Sequence, residues 1–292
     1  MRVIVFILLF SFSICSSISA QDGRLSLLSH QLFFEELTGF HFKEAKEILE
    51  SKEKDIVEYH FLFSYFYWWQ YLIAPSDHDL RKKLISHLDA SIEKVESAET
   101  NALTQYIELT TYAFYARVLI YENDYLAAIQ YVNKITSTIE YSIQKSEQSP
   151  YYKLTTGLYH FAAGYAKSEF WYLYPYFLFI PEGNEKKGIE ELNDLVTIED
   201  FLIQNEANYF LMKIYMEAYD DYQTALKYAL KIVDNNPTNL LYQGLLYKIY
   251  CALNLNEEMA KQKELYYVKL KEIGGELSLK QYAFLENIEN IQ

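Results

Sequence analysis

From Leu25 to Ile291, apolar residues recur at spacings of three and four, and short polar breaks interrupt the pattern. That period is helical, because residues three and four apart share one face of a helix. The breaks lie near Thr38-Gly39, Pro75-Ser76-Asp77, Asn123-Asp124, Ser149-Pro150, Pro181 to Asn184, Asp220-Asp221, Pro237 and Gly274-Gly275. Asp, Asn and Ser cap helix starts, while Pro and Gly end one helix or open the next. The punctuation predicts six helical hairpins, over 25–53, 55–97, 99–146, 149–197, 199–235 and 238–272. A last helix over 276–290 would close the chain, with Lys280, Glu286, Asn287, Glu289 and Asn290 as a polar outer face. So many hairpins do not wrap easily around one core, and stacking is the expected arrangement.

The breaks are also self-similar. Phe42-Lys-Glu-Ala45, Tyr125-Leu-Ala-Ala128 and Tyr222-Gln-Thr-Ala225 each place an aromatic residue three positions before an alanine. Leu49, Val132 and Ala229 follow four positions later on the same face. A small residue lets two helices approach closely, and the aromatic ring fills the wedge at the turn. Tyr112, Tyr115, Ala116 and Leu119 stand at matching first-helix spacings in the middle copy, and Pro237 follows the last strong copy. Gly188 and Ala260 are expected at the small position elsewhere, although Glu185 and Glu257 replace the aromatic.

These residues resemble the tetratricopeptide repeat, most clearly over 112–140 and 206–239, and the chain is similar to exported bacterial proteins built from it. The segment 157–239, from Gly157-Leu-Tyr-His160 through Tyr174-Pro175 and Gly183…Gly188 to Pro237, is distantly similar to eukaryotic inclusion-clearance repeat proteins. The resemblance implies an all-α fold, a right-handed superhelical α-solenoid occupying residues 21–292 as a single domain. It also implies a groove lined by first helices. Arg117 and Tyr121 stand at groove-facing positions in the middle copy, and Lys213 and Glu217 are the later equivalents. Arg117 among apolar neighbours also fits an internal pair with Glu108 or Glu122, because a buried guanidinium needs a partner.

Composition sharpens this picture. Nine glycines and five prolines in 292 residues are too few for a turn-rich β fold, and a hydrophobic share of 51% excludes global disorder. Residues 1–20 carry one early cation, Arg2, then the apolar run Val3 to Phe12 and small residues up to Ala20, the layout of a secretory signal peptide. Cleavage is expected at or near Gln21. Ile14 before Cys15 departs from the lipoprotein pattern. The mature chain would keep 25 basic and 40 acidic residues, a net charge of −15, which disfavours nucleic acid and anionic membranes. It would keep Cys251 and so form no internal disulfide.

Two aromatic stretches stand out. Tyr59 to Ala74 aligns His60, Ser64, Tyr67 and Tyr71 along one helical line. It reads as an inner helix packed on both sides; the alternative is a groove-facing stripe with Trp68 and Trp69 as open aromatic platforms. Phe170 to Ile180 reads as a helix kinked at Pro175 whose rings fill a gap between unequal repeats. The alternatives are a dip into a membrane interface or stacking against sugars, and rings left exposed would be a partner-contact patch. Tyr59 to Ala74, with its polar interruptions, is too short to span a membrane. The common catalytic and phosphate-binding motifs are missing, and the pattern calls for no cofactor or metal. His78-Asp79 resembles a metal-dependent phosphohydrolase pair but better fits a helix start. The expectation is a non-catalytic protein-binding scaffold of the bacterial envelope. The other reading is a carbohydrate-binding repeat protein that stacks sugars on Tyr and Trp rings.

Overall fold

The computed structural model describes residues 30–169 and 180–287. The expected signal peptide, the Phe170–Phe179 stretch and the end of the closing helix lie outside the described residues. Among those described, the chain is all-α, with no strand and thirteen α-helices. They are α1 (Gln31–Thr38), α2 (Phe42–Glu50), α3 (Glu58–Leu72), α4 (His78–Glu96), α5 (Ala102–Tyr121), α6 (Tyr125–Gln144) and α7 (Pro150–Glu169). Then follow α8 (Glu185–Leu195), α9 (Phe201–Glu217), α10 (Tyr222–Asn235), α11 (Leu240–Ala252), α12 (Asn256–Ile273) and α13 (Leu279–Glu286).

The polar breaks act as caps. Asn101 accepts from the amides of Leu103 and Thr104, and Thr104 closes the capping box. Asp124, Asn184, Asp221 and Asn239 each accept an amide of the first turn of α6, α8, α10 and α11. Asp77 Oδ1 accepts from the amides of Asp79 and Leu80, so this stretch does start α4. Such side chains satisfy amides that a helix start otherwise leaves open.

The hairpin turns repeat in backbone detail. Phe40, Asn123 and Asn254 take positive φ, and after each the chain closes two bonds back onto the preceding helix. The amides of Phe40, Asn123 and Asn254 donate to Leu37, Ile120 and Cys251, while those of His41, Asp124 and Leu255 donate to Glu36, Leu119 and Tyr250. This is the Schellman closure, which satisfies carbonyls at a helix end. Asp220 also has positive φ, but its neighbour Asp221 reaches back to Tyr215, a wider variant. A bulky residue rarely adopts this region; Phe40 is held there by burial against Phe42 and Trp69, at ring distances of 5.4 and 6.1 Å. Five residues after the left-handed position stand the fully buried Ala45, Ala128 and Ala225. In the last hairpin that register falls on half-buried Met259, and Ala260, expected at the small position, is exposed. The polar stretch before it places the turn one residue earlier than its alanine suggests.

Ala225→Phe is expected to cost about 1–3 kcal/mol or more, because no side chain there can grow without separating the helices. The midpoint of urea unfolding reads this directly, and an unchanged midpoint would put the close crossing elsewhere.

First and second helices differ in burial. Between Leu103 and Ile120, α5 leaves only Glu108 and Leu119 less than fully buried, whereas α6 buries a stripe of Ala128, Ile135, Ile139 and Ser142. The first helices are therefore inner elements, and the second are amphipathic ones facing water.

The described chain divides into two compact units, residues 88–211 and residues 30–87 with 212–287. In the first, α5, α6 and α7 enclose a core of Leu109, Tyr112, Ala113, Ile135, Ile139, Tyr159 and Ala163. Helices α7 and α8 cross closely at Gly157 and Gly188. The second unit joins distant parts of the chain. Asn239 Nδ2 donates to the Thr38 carbonyl at 2.8 Å, Trp69 packs edge-on to Tyr242, and Lys280 pairs with Asp77 at 3.0 Å. In a linear stack each repeat meets only its neighbours; here the opening hairpin also meets α11, and the α3–α4 turn meets α13.

Candidate functional site

The two groove-facing pairs expected from sequence each come together, in different units. On α5 the Arg117 side chain is buried, its residue 7% exposed, and Nη2 donates to Tyr121 Oη at 2.9 Å. The guanidinium carbon also lies 5.4 Å from the Tyr121 ring centroid, within cation–π range. Glu108, one of the two acids weighed as its partner, accepts instead from Tyr112 Oη at 3.1 Å. On α9, Lys213 pairs with Glu217 one turn later, and both are partly shielded. Lys248 of α11 stands close enough for the Lys213 charge to add to burial in lowering its pKa.

Trp68 and Trp69 are 2% and 6% exposed, so they are not open platforms. Trp68 packs against Tyr71, and Trp69 wedges between Phe40 and Tyr242. Ser64 and Tyr71 are buried with them, as an inner helix requires. His60 and Tyr67 are half-buried and meet His87 of α4. The two histidine Nδ1 atoms are 3.2 Å apart, and Phe63 stacks on His87. Burial, then the His60 charge, pushes His87 down to about 4, leaving it neutral at pH 7. At the α7–α8 crossing, burial lowers His160 to about 4 and raises the Glu191 carboxyl, with Lys187 3.6 Å from Glu191. No group of three or more metal-ligating side chains occurs among the described residues.

A polar cluster lies where α4, α5 and α6 meet, built on buried Tyr112 and Tyr115 and half-buried Tyr131. Tyr115 Oη donates to Asp89, and the Tyr115 ring stacks on Tyr131 at 4.6 Å and 5°. Tyr112 lies 6.1 Å from Tyr131. The Lys134 ammonium sits 4.9 Å from the Tyr112 centroid and 5.4 Å from that of Tyr131. Glu108 is raised by burial and by Glu96, against the Tyr112 hydrogen bond and the nearby Lys134 charge. Burial and the adjoining carboxylates push the Tyr112 and Tyr115 phenols well up, so both remain protonated donors at neutral pH. Asp89, Glu96 and Lys134 are exposed, and the cluster opens to solvent on their side. Sequence reading placed Tyr112 and Tyr115 as packing residues. The signal it did not use was the pairing of Glu108 with Tyr112 one turn on, and of Tyr131 with Lys134 three residues on.

Beside it, the α5–α6 turn presents apolar surface. Tyr121, Tyr125 and Ile129 are exposed, and Leu126 is 80% exposed. Glu122 and Asp124 flank them. Lone exposed apolar residues are ordinary; four at one helix junction form a patch.

No protein-family model matches the chain, and no match was found to a curated protein or to a solved structure. No described helix is long and apolar enough to cross a membrane.

Proposed function

We propose that this protein is a non-catalytic binding scaffold of the bacterial cell envelope, exported through its N-terminal segment, whose partner is a protein. The observation that carries the proposal is the exposed Tyr121–Tyr125–Leu126–Ile129 patch next to Arg117. An apolar patch rimmed by acids on a chain of net charge −15 after signal removal favours a partner surface that is apolar and basic. The hairpins, in this reading, are tetratricopeptide-like and stack as a right-handed superhelical α-solenoid, departing from a linear stack where the opening hairpin also meets α11. Its support is the repeated Schellman turn, followed five residues later by a buried alanine. Inner first helices leave little open groove, so contact is assigned to the hairpin tip. Burial of Trp68 and Trp69 removes the main support for sugar stacking.

Capture from envelope extracts tests the proposal. Leu126→Asp and Ile129→Asp should each abolish recovery of a specific partner while leaving the melting temperature unchanged, since both side chains already face water. Undiminished recovery would refute the assigned surface, and turnover of a defined small molecule by purified protein would refute the scaffold. Arg117→Ala is expected to lower stability by about 1–3 kcal/mol, because it removes a buried charge-assisted bond. Thermal unfolding checks this, and a variant that lost binding at full stability would put Arg117 at the partner surface.

A further inference from the structure

The cluster between α4, α5 and α6 separates into one second-helix tyrosine shared by both strong repeats and surroundings that differ between them. Tyr131 and Tyr228 each lie three residues after the buried alanine, and each stacks on a first-helix tyrosine. The Tyr115–Tyr131 rings are 4.6 Å apart and the Tyr215–Tyr228 rings 5.8 Å apart, nearly parallel in both cases. Only the second-helix ring is equivalent: Tyr115 stands thirteen residues before Ala128 and Tyr215 ten before Ala225, so the two hairpins meet it with different first-helix rings. The Glu108 position, twenty residues before Ala128, is held by Asn205 before Ala225, and the acid that adjoins Tyr215 in the later copy is Asp221 of the turn. Around Tyr112 and Tyr131 gather Glu108, Glu96 and, seated on both rings, the Lys134 ammonium.

The faces of tyrosine rings attract cations through their quadrupole, and adjoining carboxylates add charge without demanding directional hydrogen bonds. That combination suits an alkylammonium head, and the protein's own Lys134 shows one in place. Tyr112 is 5% exposed with Lys134 over its ring. Lys134 is itself exposed and carried on a flexible four-carbon stem, so it can swing into water and uncover that ring when another cation competes.

We propose that Tyr112, Tyr131, Glu108 and Glu96 form a receptor for the alkylammonium group of an external ligand, with Lys134 as a tethered occupant that the ligand displaces. The head group comes either from a free quaternary amine or from a lysine of a partner protein. Only the second source rests on the scaffold reading above.

Proton NMR of tetramethylammonium chloride, and separately of a glycine-flanked lysine peptide, added to the full chain tests this. Ring currents should move the methyl or ε-methylene signal upfield. Lys134→Ala should tighten binding about tenfold by vacating the rings. Lys227→Ala, which makes the same charge change and vacates the Tyr228 ring of the later copy, where Asn205 replaces Glu108, should leave binding as in the wild type. Adding Glu108→Gln to Lys134→Ala should weaken binding again, and because glutamine keeps an acceptor for Tyr112 this variant retains the local hydrogen bond. Preference for tetramethylammonium would identify a free amine, and preference for the peptide a partner lysine. An absence of any shift with Lys134→Ala overturns the proposal. So does an equal gain from Lys227→Ala, which would reduce the effect to overall charge or to any tyrosine lying under a lysine. The scaffold reading fails separately, in the capture experiment with Leu126→Asp.

Discussion

Gly188→Ala is expected to destabilise the protein by about 3 kcal/mol or more, although it adds one methyl group. A Cβ at this position would stand 2.3 Å from the Phe161 amide nitrogen and 2.5 Å from the Gly157 carbonyl oxygen. Both are backbone atoms of α7, so no side chain can rotate away and the two helices must part. Separation would open the contacts of Leu192 and Leu195, which are buried on α8, and expose the half of α7 that lies beneath them. Helix propensity alone points the other way, since alanine is favoured over glycine by about 1 kcal/mol inside a helix. The sign of the result therefore discriminates between a packing constraint and a purely local effect. Gly275→Ala serves as the control, because a Cβ there meets nothing within 4 Å. Chemical denaturation of both variants beside the wild type decides it; if Gly188→Ala unfolds at the wild-type midpoint, α7 and α8 do not approach as described.

The second large effect concerns Asp200, which caps the start of α9. Its Oδ1 accepts from the amides of Leu202 and Ile203, both at 3.0 Å, while Oδ2 is buried without a hydrogen-bond partner among the described residues. Burial raises its pKa to about 7, outweighing the two amide bonds that act to lower it. The folded protein thus holds this proton more tightly than the unfolded chain. The resulting stabilisation is complete below the ordinary aspartate pKa and is lost as pH rises from about 4 toward 7. Asparagine can accept the same two amides and carries no charge. Asp200→Asn should therefore match the wild type near pH 4 and exceed it by on the order of 1–3 kcal/mol at pH 7.5. Paired unfolding curves across that range isolate this residue from other carboxylates by difference, and a gap that does not widen with pH would contradict the buried, uncompensated Oδ2.

Much of the helical plan was legible because it is a local matter. The Asn123-Asp124 and Asp220-Asp221 breaks carry their own cap and their own left-handed residue, so a few consecutive positions suffice to place a turn. Where the local signal was weaker, reading slipped. Thr38-Gly39 marked the break after α1, yet the left-handed residue there is Phe40, whose ring is drawn into the core. Ala260 matched the small position by residue type, but the turn puts Met259 in that register. The candidate site was harder still. Tyr112 and Tyr115 were visible as packing aromatics, but nothing in their own stretch shows that Asp89 receives one phenol or that Lys134 lies over two rings.

By itself, the sequence determined the helical class, the hairpin spacing and the buried alanines at 45, 128 and 225. Periodicity, capping and side-chain size are properties of neighbouring residues and act before any distant contact forms. Only the tertiary structure decided that Trp68 and Trp69 are wedges rather than platforms and that Arg117 is buried against Tyr121. It alone showed that Thr38 meets Asn239 and that Glu108 bonds Tyr112 beside the Tyr115–Tyr131 stack. Each of these depends on which helix faces lie against each other, and burial, ion pairing and cation–π attraction are set by that facing rather than by order along the chain.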